Sequence, residues 1–598
     1  MRRTAVLPRP ARGPAVPALA LVTALVLAGC TGSDDGDSGG SADSGGSDDP
    51  AVAGAVTTAP DAARTLVPDA DPVAAAVSTS RALYESSDVA VVAGGGDADA
   101  ELLGAVAAVG LGVPLLLGSD DPADVLGAEL DRLGVQTVLA VGDAAADLVP
   151  GGSDDVDVVA VPADAEALAE ATGLDLAEPT TVPDAERAAA VAGLAPDALP
   201  VLTAEAPPAP ASPAETAAEG SETAASESES SETESDASET EPAEPTGELP
   251  EVQRPEALED VVVLASGDAQ SLAGIATARA AGAEVLLTGG VVDPRGSAEV
   301  VERLATEPTV VVLGADLAGA PGIDWKLDTV ATGTQLPGGG QLLFPEHTLI
   351  ALYGIPGSGA LGLLGEQDLP GAIARAQQYA DEYRPLVDNT VVPTFEIIAT
   401  VASASAGPDG NYSAEQDVET LRPWVEAAGE AGLYVVLDLQ PGRTDFLTQA
   451  KQYEPLLKLP YVGLALDPEW RLKPGEVHLR QIGQVNIDEV NQVVTWLADL
   501  VRENDLPQKL LVLHQFQVRM IVDRERLDTS RDELAILVHV DGQGSQPAKQ
   551  TTWEVLHRGA PEPLYWGWKN FIDEDEPMIS PQETIETVKP TPELVTYQ

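Results

Sequence analysis

Two kinds of hydrophobic pattern divide the chain. From about residue 50 to 320, short unbroken apolar runs end in glycine and alternate with alanine-rich stretches. Examples are Val89-Ala-Val-Val-Ala93, Leu115-Leu-Leu117 and Val138-Leu-Ala-Val141. Continuous rather than alternating apolar runs indicate parallel strands covered on both faces by helices. The runs come in two sets. Asp88-Val-Ala-Val-Val-Ala-Gly-Gly-Gly-Asp97 parallels Asp260-Val-Val-Val-Leu-Ala-Ser-Gly-Asp268, and Pro114-Leu-Leu-Leu-Gly118 parallels Val285-Leu-Leu-Thr-Gly289. Thr137-Val-Leu-Ala-Val-Gly142 parallels Thr309-Val-Val-Val-Leu-Gly314, at an offset of about 171 residues. Each set reads strand, Gly-Asp turn, helix, strand, helix, strand.

Beyond about residue 320 the pattern becomes a longer alternation of strand and helix. It predicts strands over Leu349–Gly354, Pro393–Ala399, Tyr434–Leu439, Val462–Asp467, Leu510–Gln515, Ala535–Asp541 and Leu564–Trp568. Helices are expected between them over Gly371–Leu386, Ala414–Ala431, Arg443–Leu457, Ile487–Glu503 and Gln546–Leu556. Seven strands at this spacing point to a (β/α)8-like barrel, complete or short of one unit, with a doubly wound open sheet as the alternative. The fold expected is therefore α/β: two parallel-sheet α/β repeats followed by a TIM-barrel-like domain.

Two stretches carry no hydrophobic period. Residues 31–50 are Gly, Ser and Asp, and residues 203–253 are Ser, Glu, Thr, Ala and Pro, with no Lys or Arg between Arg187 and Arg254. Such composition reads as an open tether and an open acidic linker. The expected organisation is a leader over 1–30, a tether over 31–50, a first repeat over 51–202, a linker over 203–253, a second repeat over 254–320 and a barrel over 321–598.

The leader changes the picture of location. Arg2, Arg3, Arg9 and Arg12 precede an apolar run from Ala15 to Ala28, which ends in Leu27-Ala-Gly-Cys30. The run is short for a membrane span and has the layout of a secretory signal. Its last four residues resemble the bacterial lipobox, which implies lipidation of Cys30 and attachment to the extracytoplasmic face of the cell membrane. Cys30 is the only cysteine, so intramolecular disulfides and cysteine zinc sites are excluded. A net charge of −65 opposes binding to nucleic acid. The Gly94-Gly-Gly96 turn lacks the spacing of a dinucleotide fingerprint and the lysine of a P-loop, and no cofactor is expected.

The paired strand motifs resemble the cell wall-binding repeat 2 family: a Val-rich strand, Gly-Asp, a helix, Pro-Leu-Leu-Leu and a Thr-Val-x-x-x-Gly strand. The resemblance covers about 120 residues of the first set and about 60 of the second. It implies a cell-wall polymer or glycan as partner.

Chemistry concentrates in the last domain, which holds all seven Trp, all five Phe, all five His and every Lys. Barrel sites lie at the carboxyl ends of the strands. Those ends offer Tyr353, Glu396, Asp438, Asp467 with Glu469, His514 with Gln515, His539 with Asp541, and Trp566, Trp568 and Lys569. Paired carboxylates carry out glycosidic acid/base work, and tryptophan faces stack on sugar rings. Asp467-Pro-Glu469 on a fourth strand is similar to the acidic motif of the chitinase-like family 18 glycosidases, with apolar residues where that motif's earlier acids stand. That resemblance implies Glu469 as the acid and Asp467 as the residue orienting the substrate. With Asp438, these form the expected catalytic set. Glu396, His514, Gln515, Asp541, Trp566, Trp568, Lys569 and Tyr353 form the expected substrate-binding set. Asp467 and Glu469 are two apart on the fourth strand, so both side chains are expected to point the same way. His514, His539 and His557 lack HExxH-type spacing, so no metal site is assigned. Two functions follow: a lipid-anchored, glycosidase-like protein acting on envelope glycan, or a non-catalytic lipoprotein that binds wall polymer.

Overall fold

A computed structural model describes residues 52–118, 125–149, 156–205 and 244–598. The leader, Cys30, the 31–50 tether and most of the acidic linker lie outside the described residues. No helix among the described residues is long and apolar enough to cross a membrane.

The first part contains two four-stranded parallel sheets. One runs Leu115–Gly118, Val89–Gly94, Thr137–Val141, Asp157–Val161. The other runs Glu284–Leu287, Val261–Ala265, Thr309–Leu313, Arg64–Val67. Corresponding segments hold the same places in both sheets. The fourth place, however, is filled in the second sheet by a strand from the amino-terminal end of the chain. The sheets are joined through helices Pro72–Leu83, Ala98–Leu111 and Leu272–Ala280, whose alanines and glycines permit close approach. Thr277 Oγ1 bridges them in the buried centre, bonding both N and O of Leu115 at 3.1 Å.

The carboxyl-terminal part of the expected acidic linker is ordered. Val252–Gln253 pairs in parallel with Ala53 and Gly54. Thr246 exchanges bonds with Ala160, and Arg254 donates to the carbonyls of Val109 and Gly110. Composition hides this because the contacts are made by backbone and by one arginine rather than by an apolar face.

The second part is a closed barrel of eight parallel strands. We number them β1 His347–Gly354, β2 Thr390–Ala402, β3 Tyr434–Leu439, β4 Val462–Leu466, β5 Lys509–Gln515, β6 Leu534–Val540, β7 Tyr565–Asn570 and β8 Leu594–Tyr597. Each pairs with the next, and β8 closes on β1. Alternation decides the destination of every side chain. One parity packs outward on the helices through Ile350, Phe395, Leu437, Leu464, Leu513, Val538 and Val595. The other parity fills the lower interior with Leu349, Ala351, Val436, Ala465, Val512, Leu537 and Leu594. Leu336, Leu343 and Phe344 close the floor. A partly buried ion network joins the two parts. Lys326 bridges Asp293 and Asp532, and Arg295 bonds Asp293 while lying over the Trp325 ring.

Candidate functional site

Following the inward parity upward, seven of the eight strands deliver a polar side chain above the apolar floor. These are Tyr353 from β1, Glu396 from β2, Asp438 from β3, His514 from β5, His539 from β6, Lys569 from β7 and Thr596 from β8, all buried. Asp467 and Asp541 stand one residue past the ends of β4 and β6. The ring is knit by direct bonds. His514 Nε2 lies 2.8 Å from Glu396 Oε1 and its Nδ1 lies 3.0 Å from Asp541 Oδ2. Glu396 Oε2 accepts from Thr596 Oγ1 at 3.0 Å, and Tyr353 donates to Asp438 Oδ2 at 2.8 Å. His539 Nδ1 lies 3.3 Å from His514 Nδ1.

Above this ring opens a cavity of about 610 Å³. Its wall includes Tyr353, Asp467, Glu469, Asp541 and Lys569, with Trp470, Phe516 and Phe571 as aromatic surfaces and Gln440 and Gln543 as amides. Gln440 is itself fixed, accepting from the Ala402 amide at 2.8 Å. Lys569 Nζ sits 3.7 Å from the centre of the Tyr353 ring.

The electrostatics follow from burying many charges together. Burial would raise Glu396, but the His514 charge outweighs it and holds Glu396 down at about 2. Burial would lower His514, yet Glu396 and Asp541 raise it well above the ordinary imidazole range. His539, with no such direct acid partner, is pushed by burial down to about 3. Asp541 is lowered because its bond to His514 overcomes burial. Burial pushes Asp438 up to about 6, and it carries Asp467 well above the carboxylate range, with the Asp438 and Asp541 charges adding to it. Glu469 rises to about 7 through burial and the Asp541 charge. Glu396 and Asp541 are therefore held toward the charged form, and Asp467 toward the protonated one.

Seven of the expected site residues meet in this ring and cavity: Tyr353, Glu396, Asp438, Asp467, His514, Asp541 and Lys569. Glu469 lines the same cavity, but by a different route from the one alternation predicts. Strand β4 ends at Leu466. Asp467 caps a single turn over Pro468–Trp470, its Oδ1 accepting from the Glu469 amide at 3.1 Å. A turn, not strand parity, aims Glu469.

Three expected binding residues point elsewhere. Gln515 follows inward His514, so it faces outward, where its Oε1 accepts from Arg524 at 2.8 Å. Trp566 and Trp568 flank inward Gly567 and precede inward Lys569, so both face the helices. Trp566 stacks on His557 at 3.5 Å, and Trp568 meets Trp553 edge-on at 5.7 Å. Neither is a sugar platform. Lys569 and the two tryptophans cannot share one face, and the period of two made that legible.

His539 was placed at a strand end but given no role, and Thr596 and the aromatics of the rim are absent from the sequence-derived set. His539 shares parity with Asp541, which was a usable signal. Thr596 belongs to a four-residue strand following Pro590 and Pro592, too short to register as periodicity. Trp470, Phe516 and Phe571 lie just past strand ends, where spacing predicts no direction. Comparison of the chain with known families, characterised proteins and solved structures finds no match, so the functional reading rests on the barrel's own residues.

Proposed function

We propose that the barrel is a glycosidase-type hydrolase acting on envelope glycan, with Glu469 as the proton donor. The observation that carries this reading is the state of the Glu469 carboxyl. It lines an open cavity, no donor among the described residues bonds it, and its affinity for a proton is raised to about 7. An acid held protonated near neutral pH and free to reach a ligand is what leaving-group protonation requires. Asp467 stands beside it to orient the substrate, and Asp438 lies buried below, bonded by Tyr353 of the cavity wall. Trp470, Phe516 and Phe571 offer apolar faces for sugar rings in place of Trp566 and Trp568.

The same proposal places the protein outside the cell, tethered through Cys30, with the two parallel sheets acting as wall-polymer-binding repeats. Their shared strand order supports a common origin for the two segments. A non-catalytic wall-binding protein is the second reading, favoured by the engagement of Glu396 and Asp541 with His514. Incubating the full chain with purified wall glycan and measuring new reducing ends decides between them. Hydrolysis that disappears in Glu469→Gln supports the enzyme. Glycan retention without cleavage by either protein supports the binder.

A further inference from the structure

We propose that Lys569 anchors a carboxylate on the sugar seated in the cavity, so that the glycan taken by the barrel is an acidic one. This rests on the hydrolase reading of the cavity and names the class of its substrate.

Lys569 is 3% exposed, and it is the one cation among the described residues that line the cavity. Its ammonium carries three N–H donors. No described residue accepts a hydrogen bond from it or pairs with it as an ion. Its surroundings are aromatic: Nζ lies 3.7 Å from the centre of the Tyr353 ring and 5.2 Å from that of Phe571. Ring faces offset part of a positive charge but do not replace the hydrogen bonds that water would accept. A buried ammonium in this condition is completed by an anion brought to it. Its place is also fixed. Buried Lys549 donates to the Lys569 carbonyl at 2.6 Å and is itself paired with Asp575, while Lys569 sits in register with Thr596 of β8. The strand end is thereby held, and the ammonium stays at the cavity wall instead of turning to a neighbouring acid.

The acids of the wall do not exclude such a ligand. Asp541 Oδ2 is engaged by His514 at 3.0 Å, and Asp467 Oδ1 accepts from the Glu469 amide at 3.1 Å. Burial holds Asp467 toward the protonated form and brings Glu469 up to about 7. The wall therefore joins one unpaired cation to one paired carboxylate and two carboxyls inclined to keep their protons. A sugar seated there can meet Glu469 at its glycosidic oxygen and Lys569 at its acid group. One ammonium is a point charge and matches a single negative charge. A carboxylate brings one. A phosphate monoester brings about 1.5 to 2 and sets the excess beside Asp541.

The test titrates the full chain with soluble, peptide-free wall oligosaccharides and measures affinity by calorimetry. One portion is untreated, one has its carboxylates reduced to alcohols, and one is freed of phosphate. Reduction of the carboxylates should weaken binding about tenfold to a hundredfold, as loss of a charge-assisted bond does, and removal of phosphate should not. Lys569→Met should bind the untreated and reduced forms with the same, weaker affinity. A lysine that only fills space would, on replacement, weaken both forms alike and keep their ratio. Circular dichroism checks folding, and Lys569→Gln serves if Lys569→Met does not fold. Equal wild-type affinity for the untreated and reduced forms overturns the proposal and leaves the hydrolase standing. A carboxylate preference that persists in the folded variant also overturns it, as does a preference that follows phosphate, or no binding of any form. A carboxylate preference lost in Lys569→Met, with no reducing ends released by the wild-type chain, upholds the anchor and removes the hydrolase.

Discussion

Replacing Trp568 by alanine separates the two roles a barrel tryptophan can have. Its ring is completely buried between β7 and the helix Gln546–His557, and the Lys549 ammonium lies 4.8 Å from its centre. A buried tryptophan removes about 150–250 Å² from water, which at about 25 cal/mol per Å² is about 4–6 kcal/mol. Compactness of the unfolded chain lowers that figure, and large-to-alanine changes in cores typically cost about 3–5 kcal/mol. The indole N–H donates to Asn570 Oδ1 at 2.9 Å, so truncation also leaves a buried amide without its partner. We therefore expect a loss of about 4 kcal/mol in the barrel transition, measured by urea unfolding monitored by near-ultraviolet circular dichroism. Glycan binding by the still-folded fraction should be unchanged. Trp470→Ala, at a half-buried cavity position, should show the reverse: little change in midpoint and weakened binding. A Trp568→Ala chain with an unaltered midpoint and abolished glycan binding would refute the outward assignment.

Glu469→Gln is expected to lower glycan turnover by about 10²–10⁴-fold, measured by reducing-end release. A donor must be protonated, and Glu469 is raised to about 7, so wild-type turnover should fall as pH rises through about 7 rather than through the ordinary carboxyl range. Asp575→Ala should cost about 3–5 kcal/mol in urea unfolding, because it strands the buried Lys549 ammonium and the Phe571 and Gly544 amides. Lys549→Met combined with Asp575→Leu should recover part of that loss. If Cys30 is lipidated as proposed, Cys30→Ser should move the protein from the detergent phase to the aqueous phase on detergent partitioning, because such a lipid would supply the membrane affinity.

Most of the barrel was legible because its strands are strongly periodic and its helices follow them. Ile487–Glu503 is found with the predicted ends, and seven of the eight strands are placed to within a few residues. β8 was not legible because four residues following Pro590 and Pro592 carry too little period. Within the site, strand parity was the informative signal wherever it applied. It sorts His514 from Gln515 and Lys569 from Trp566 and Trp568. Where a strand has ended, as at Glu469, Trp470, Phe516 and Phe571, direction is set by turn geometry. The return of Arg64–Val67 to a sheet whose other strands lie some two hundred residues later was also invisible, because strand order leaves no trace in local pattern.

That crossed strand makes the first part of the molecule interlocked. Arg64–Val67 completes the second sheet, Val252–Gln253 returns to the strand Ala53–Thr57, and Arg254 reaches Val109. A ribosome releasing about 5–20 residues per second must therefore deliver residue 313 before Arg64–Val67 has its sheet neighbour, so this edge is among the last of the first part to seal. The same arrangement outlasts the covalent link. A chain cut between residues 206 and 243 keeps its pieces clasped like two hands with fingers interlaced, and they should co-elute until denaturant parts them.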